Sequence, residues 1–116
     1  MSLLDRFRQK RPPAPELDLL LVRRLRSVGA DLTRPRPIAH FLDFGSEADA
    51  RAAAVEIEAG GYEVTVTAPA ASDDPWSLRA QGARVVDETT ISVFRSWFER
   101  IAAAYAGEYD GWESPG

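Results

Sequence analysis

His40 is the single histidine of the 116-residue chain, and cysteine is absent. These two facts bound the chemistry. Without thiols there is no disulfide, no thiol nucleophile and no thiolate metal site, and the composition fits a reducing compartment. A lone histidine with no serine–histidine–carboxylate spacing offers no nucleophilic triad. A metal would have to be held by one imidazole and scattered acids. His40 is therefore read as a hydrogen-bonded, half-buried strand residue. The carboxylate pairs Asp73-Asp74 and Asp87-Glu88 fall at element boundaries, where turn formation and helix N-terminal charge account for them better than acid–base catalysis does. Gly60-Gly61 closes a helix instead of opening one, so it is not a phosphate loop. The chain reads as a non-enzyme, with no catalytic residue, no metal site and no cofactor.

The formal net charge of −4 hides an asymmetry. Residues 1–40 carry nine Lys or Arg against four acids, whereas residues 41–116 carry five against fourteen. A basic arm on an acidic body speaks to partners and not to fold. No run of about 18 apolar residues is present, which excludes a membrane-spanning helix. The N-terminal Met1-Ser2-Leu3-Leu4-Asp5-Arg6-Phe7-Arg8 lacks a signal core, so a cytoplasmic location is expected.

The elements that position these groups follow from periodicity. Residues 1–15 read as a basic, Pro-containing leader whose Arg11-Pro12-Pro13-Ala14-Pro15 forms a polyproline-like spacer. Residues 16–116 form one domain. Glu16 to Val28 predicts a helix with Leu17, Leu20, Leu21, Leu25 and Val28 on one stripe, Arg23, Arg24 and Arg26 elsewhere, and Gly29 as its stop. Ile38 to Phe44 predicts a strand with large groups on both faces, hence a central one. Ser46 is a good N-cap for a helix burying Ala48, Ala52, Val55 and Ala59. Tyr62 to Thr67 alternates with period two, Ala68-Pro69 ends it, and Trp76 to Val86, interrupted near Gly82, predicts its antiparallel hairpin partner. The longest helix is predicted from Thr89 to about Ala106. Ile91, Phe94, Phe98, Ile101 and Tyr105 form its inner stripe, Val93 and Trp97 flank it, Arg95, Ser96, Glu99 and Arg100 face away, and Gly107 stops it. Glu108 to Glu113 closes the chain as a strand. After the leader and first helix the order is β-α-β-β-α-β. That is an α+β, ferredoxin-like sandwich: a four-stranded antiparallel sheet with two helices on one face, plus an extra N-terminal helix.

Two binding readings compete on this frame. Ferredoxin-like sheets can stack bases on aromatics, and Tyr62, Trp76, Trp112 and His40 are candidates to approach such a face, with the N-terminal arginines on phosphate. The strand signature of such RNA binders is absent and the body is acidic. A ligand-sensing domain is a variant of this alternative. A protein-binding module is the other reading. Trp97 and Trp112 are the aromatics least explained by a minimal core, and Asp73, Asp74, Asp87 and Glu88 are candidate acidic contacts.

A family resemblance favours the second reading. Ala59-Gly60-Gly61-Tyr62-Glu63-Val64-Thr65 leaves the first helix of the sheet domain, and Glu108-Tyr109-Asp110-Gly111-Trp112 closes the chain. In this order the segments resemble the regulator of ribonuclease E activity B (RraB) family, over roughly Glu16 to Ser114. The resemblance implies a bacterial, cytoplasmic, non-catalytic protein that binds a ribonuclease E-type endoribonuclease, through its scaffold region, and inhibits it. An acidic inhibitor would compete with RNA for basic segments. Two features depart from the family pattern: the hairpin loop offers only Asp73 and Asp74, and the leader is basic. A homodimer is compatible, since ferredoxin-like sheets often pair. Gly111 is read as allowing a close backbone approach in the last strand.

Overall fold

A computed structural model describes residues 14–115. Residues 1–13 of the leader lie outside the described residues. The element order is α1 (Ala14–Ser27), β1 (Arg36–Phe44), α2 (Glu47–Ala59), β2 (Glu63–Thr67), β3 (Trp76–Arg84), α3 (Glu88–Ala104) and β4 (Glu108–Glu113). The sheet runs β2-β3-β1-β4, every neighbour antiparallel. This is the ferredoxin-like arrangement with an N-terminal helix, and β1 is central, as its two-sided hydrophobicity predicts. Ala14 and Pro15 already belong to α1. Proline is tolerated in a first helical turn, where its missing N–H has no intrahelical partner anyway.

Helix ends follow local chemistry. The Ser46 hydroxyl accepts from the Asp49 N–H and starts α2. Asp87 starts α3 with a reciprocal box: its carboxylate accepts from the Thr90 N–H at 2.8 Å, and the Thr90 hydroxyl accepts from the Asp87 N–H at 2.9 Å. The end of α3 differs from the expected glycine stop. Ala106 takes the left-handed conformation, φ 55°. Gly107 instead permits contact with the sheet, because a Cβ there would lie 2.5 Å from Phe44 and 2.6 Å from the Asp43 carbonyl oxygen.

The expected inner stripe holds for α3, although Arg95 departs from its expected outward face; in α1 only part of the expected stripe is buried, and in α2 the expected face fails. In α2 the buried positions are Ala50, Ala53, Ala54 and Ile57, whereas Val55 is 69% exposed. An alanine-rich helix offers several overlapping stripes, and the bulkier Ile57 decides which one is buried. In α1 the inward residues are Asp18, Val22 and Leu25, while Leu20 and Val28 are each 50% exposed. A carboxylate on the buried face of α1 has no precedent in hydrophobic periodicity. Its partner is Arg95, which does not face solvent as expected: the Arg95 side chain is 11% exposed.

The three helices of the described residues cover one face of the sheet. Ala53, Ile57, Phe98 and Ala102 pack with Leu42, Phe44, Leu78 and Ala80 in one core cluster. Val22 and Leu25 of α1 pack with Ile38, Val86, Ile91 and Trp112 in a second. Fully burying one such aliphatic side chain is worth about 1.5–3 kcal/mol, so α1 is an integral part of the domain. Among the described residues no helix covers the opposite face.

The last strand contains a bulge. Phe41 pairs with Gly111 and Leu42 with Tyr109, so Asp110 is inserted without an opposite residue. Gly111 has φ +112°, and a Cβ there would meet nothing within 4 Å. Its glycine serves the backbone conformation of the bulge and not a close approach. A bulge also breaks the regular edge that another strand would need for pairing.

Candidate functional site

His40 sits at the centre of the covered side and is fully buried. Its ring stacks on Phe98 with centroids 4.1 Å apart, and Tyr62 and Phe94 meet it edge to face. Nδ1 lies 2.7 Å from the Tyr109 hydroxyl, and Nε2 has no partner. Burial, with smaller contributions from Arg84 and Arg95, lowers its pKa to about 3. Burial likewise pushes the Tyr109 hydroxyl well above its usual value. Both groups therefore stay neutral in the physiological range, His40 fully buried and Tyr109 partly buried beside it. Among the described residues no group of three or more His, Asp or Glu side chains could hold a metal ion.

A charged network lies beside this aromatic cluster. Asp18 of α1 accepts from Nε and Nη2 of Arg95, the latter at 2.9 Å, and from the Trp112 indole N–H at 2.9 Å. Arg95 also donates to Glu99 at 3.0 Å and lies 4.9 Å from the Tyr109 ring centroid. Burial alone would lower the Arg95 pKa, but the hydrogen bonds to Asp18 and Glu99 outweigh it and the net shift is upward. The network ties α1, α3 and β4 together.

The six sequence-selected contact residues do not gather into one patch. Asp73 and Asp74 are exposed in the β2–β3 loop, where Asp74 accepts from the Ala71 N–H. Asp87 and Glu88 lie beyond the other end of β3, at the start of α3. A nine-residue strand is about 26 Å long at 3.3 Å per step, so the two acidic pairs are far apart. Asp87 is engaged as a cap. Glu88 accepts from Arg26 at 2.6 and 3.1 Å, which, first among the causes, holds its carboxyl at a pKa of about 2. Trp97 leans over Gly60 and stacks on Tyr62, and the Arg84 guanidinium lies 4.3 Å from the centroid of the Tyr62 ring. Trp112 is buried under α1.

The four aromatics expected to approach an open sheet face are elsewhere. Tyr62, Trp76, His40 and Trp112 all belong to or pack on the helix-covered side. Tyr62, His40 and Trp112 are buried and Trp76 is partly buried, so these four side chains do not form an exposed base-stacking platform on the uncovered face.

What the sheet does expose is read from its pairing. One row is Glu63–Gln81–Ala39–Glu113, the next Thr65–Arg79–Phe41–Gly111, the third Thr67–Ser77–Asp43–Glu108. Paired residues share a face, and these alternate with the buried Ile38, His40, Leu42, Leu78 and Ala80. The uncovered face thus carries Asp43, Glu63, Glu108 and Glu113 with Arg79 as the cation among the described residues. Arg79 lies 5.9 Å from the Phe41 ring centroid. Acidic side chains around one central aromatic make a surface suited to a basic protein segment and hostile to phosphate. Sequence reasoning missed this cluster because its members lie on three strands. The available signal was the outward parity of Asp43, Glu63, Glu108 and Glu113 in their strands.

Among the described residues no helix is long and apolar enough to cross a membrane. Comparison with curated proteins found no match. The model of the family "Regulator of ribonuclease activity B" matches residues 18–114, from Asp18 at the start of the charged network to Ser114 just past the final strand. The chain therefore belongs to the RraB family, regulators of ribonuclease activity.

Proposed function

We propose that this protein is a non-catalytic, cytoplasmic regulator of RNA turnover that binds and inhibits or modulates a ribonuclease E-type endoribonuclease by protein–protein contact. The observation that carries the reading is the family match across residues 18–114. The uncovered sheet face supports it physically. Its carboxylates can hold a lysine- or arginine-rich segment of the enzyme, displacing RNA that would otherwise neutralise those cations. Phe41 supplies an apolar contact at the centre of the patch. Among the residues selected from sequence, Asp73 and Asp74 extend the acidic surface at the hairpin tip, and Trp97 offers a contact on α3. Asp87, Glu88 and Trp112 contribute by holding α3, α1 and β4 in place.

The test is RNA cleavage by a purified ribonuclease E-type enzyme with and without the intact protein, together with direct binding to the enzyme's basic scaffold region. Saturable binding that weakens as salt rises is expected. The combined variant Asp43→Lys, Glu63→Lys and Glu113→Lys should bind at least tenfold more weakly, a loss of about 1.4 kcal/mol. Unchanged binding by a folded variant removes the sheet face from the proposal. Absence of any binding or any effect on cleavage removes the enzyme as partner.

A further inference from the structure

The two edges of the sheet are not alike. β4 is interrupted by the Asp110 bulge, whereas β2 is regular and, among the described residues, pairs with β3 alone. Its sequence Glu-Val-Thr-Val-Thr has no proline, no lysine and no inward charge, the devices that keep an edge from pairing. Glu63, Thr65 and Thr67 are exposed, and Val64 and Val66 are half-buried against the core beneath α2. The outer side of β2 offers main-chain N–H and C=O groups on alternate residues to a further strand.

This edge is self-complementary. A two-fold axis through Thr65 sets it opposite Thr65 of a second copy, Val64 opposite Val66 and Glu63 opposite Thr67. Valine then meets valine on the helix-covered side, and no carboxylate meets its like on the other. About four to six main-chain hydrogen bonds follow, depending on which alternate set points outward. The helix above the edge has the same symmetry. Arg51, Val55 and Glu58 are exposed and fall at i, i+4 and i+7, so they form one stripe of α2. On the other flank of α2, Glu56 interacts with Tyr105 and Gly60 meets Trp97, which places α3 there. The stripe therefore lies on the side of the β2 edge. Its midpoint is about 7 Å back from the end of α2, and Thr65 is about 7 Å beyond the start of β2, so one axis serves both. Because α2 packs over β2 and β3, a strand spacing of about 4.8 Å brings the two α2 axes roughly 10 Å apart, the distance of packed helices. The helices run antiparallel, Arg51 of each faces Glu58 of the other, and the Val55 side chains meet between them. An isologous contact needs this kind of patch, complementary to itself.

We propose that the chain forms a two-fold dimer through β2 and α2, with a continuous antiparallel sheet of four strands from each copy. The uncovered faces of the two copies join into one acidic surface. One strand pair and one helix pair make a small interface, so the dimer is reversible and half-formed at on the order of 10–100 µM. This inference stands independently of the ribonuclease reading.

The absence of cysteine makes the register directly readable in the full-length chain. At about 100 µM protein, Thr65→Cys should form an intermolecular disulfide on addition of copper phenanthroline, since directly opposed residues have Cα atoms about 4.5–5.5 Å apart. Glu63→Cys and Thr67→Cys each leave the two thiols about 14 Å apart and should cross-link at least tenfold more slowly. Equal cross-linking at the three positions overturns the proposal. Sedimentation equilibrium of the unsubstituted chain should show the average mass rising from one chain toward two with concentration. Arg51→Glu and Glu58→Arg should each weaken self-association about tenfold, and an equimolar mixture of the two variants should restore it. A dimer that both variants leave intact overturns the α2 contact and with it the proposal. A chain that stays monomeric up to about 1 mM also overturns it and leaves the edge to an extended segment of another protein.

Discussion

Replacing Asp18 by alanine tests whether the charged network holds α1 in place. Asp18 is 3% exposed and accepts from two Arg95 nitrogens and from the Trp112 indole. Removing one partner of a buried ion pair costs about 3–5 kcal/mol, because the other charge stays desolvated. Trp112 would also lose the acceptor of its buried N–H, a loss of about 1–3 kcal/mol when nothing replaces it. Two features moderate the sum. Arg95 keeps Glu99 at 3.0 Å, on the exposed side of α3, and it keeps the face of Tyr109. The expected loss is therefore about 3 kcal/mol, at the lower end for a buried pair. For a domain of this size that lowers the melting temperature by on the order of 10–20 °C. Urea unfolding followed by far-UV circular dichroism gives the free energy. Adding Arg95→Met to Asp18→Leu should recover about 2 kcal/mol, since a matched apolar pair leaves no orphan charge. A loss below about 1 kcal/mol, typical of exposed pairs, would show that solvent reaches Arg95 and that the network is not buried in effect. A double variant no more stable than Asp18→Leu would refute the orphan-charge argument directly.

The remaining predictions concern proton binding and backbone geometry. His40 has a folded-state pKa of about 3 against 6.5 for the unfolded chain, so below pH 6.5 the unfolded state takes up a proton that the folded state refuses. The stability this group contributes is complete above about pH 6.5 and falls as the pH drops toward 3, by roughly 3 kcal/mol at pH 4. His40→Gln should flatten urea-unfolding stability against pH over that window, and an unchanged slope would mean that His40 is protonated in the folded protein. Gly107→Ala puts a Cβ 2.5 Å from Phe44 and 2.6 Å from a backbone oxygen, and the forced shift should cost about 1–3 kcal/mol. Thermal unfolding at the wild-type midpoint would expose a mistaken geometry there. Ala106 holds φ 55°, so Ala106→Gly should stabilise by up to about 1 kcal/mol. A less stable variant contradicts that account.

Much of the architecture is visible in short stretches of the chain. The alternation of Tyr62 to Thr67 marks a strand, the spacing of Ile91, Phe94, Phe98 and Ile101 marks the inner face of α3, and Ser46 marks the start of α2. Each is a property of residues within one or two turns of each other. The Gly-Tyr-Glu-Val and Tyr-Asp-Gly-Trp segments identify the family equally locally. The faces of α1 and α2 are not legible this way. Leu17, Leu20, Leu21, Leu25 and Val28 form a convincing stripe, yet the helix turns Asp18 inward.

The acidic sheet face has the same history. Asp43, Glu63, Glu108 and Glu113 are unremarkable singly and become a surface only once β2, β3, β1 and β4 are laid side by side. Secondary structure, caps and family were therefore set by the sequence itself, through short-range periodicity and hydrogen bonding. Which side chains share a surface, and which charge is buried, was decided by tertiary structure. Asp18 is 77 residues from Arg95 and 94 from Trp112. No local preference turns a carboxylate inward. Only the arrival of a guanidinium and an indole N–H from distant elements makes its burial tolerable.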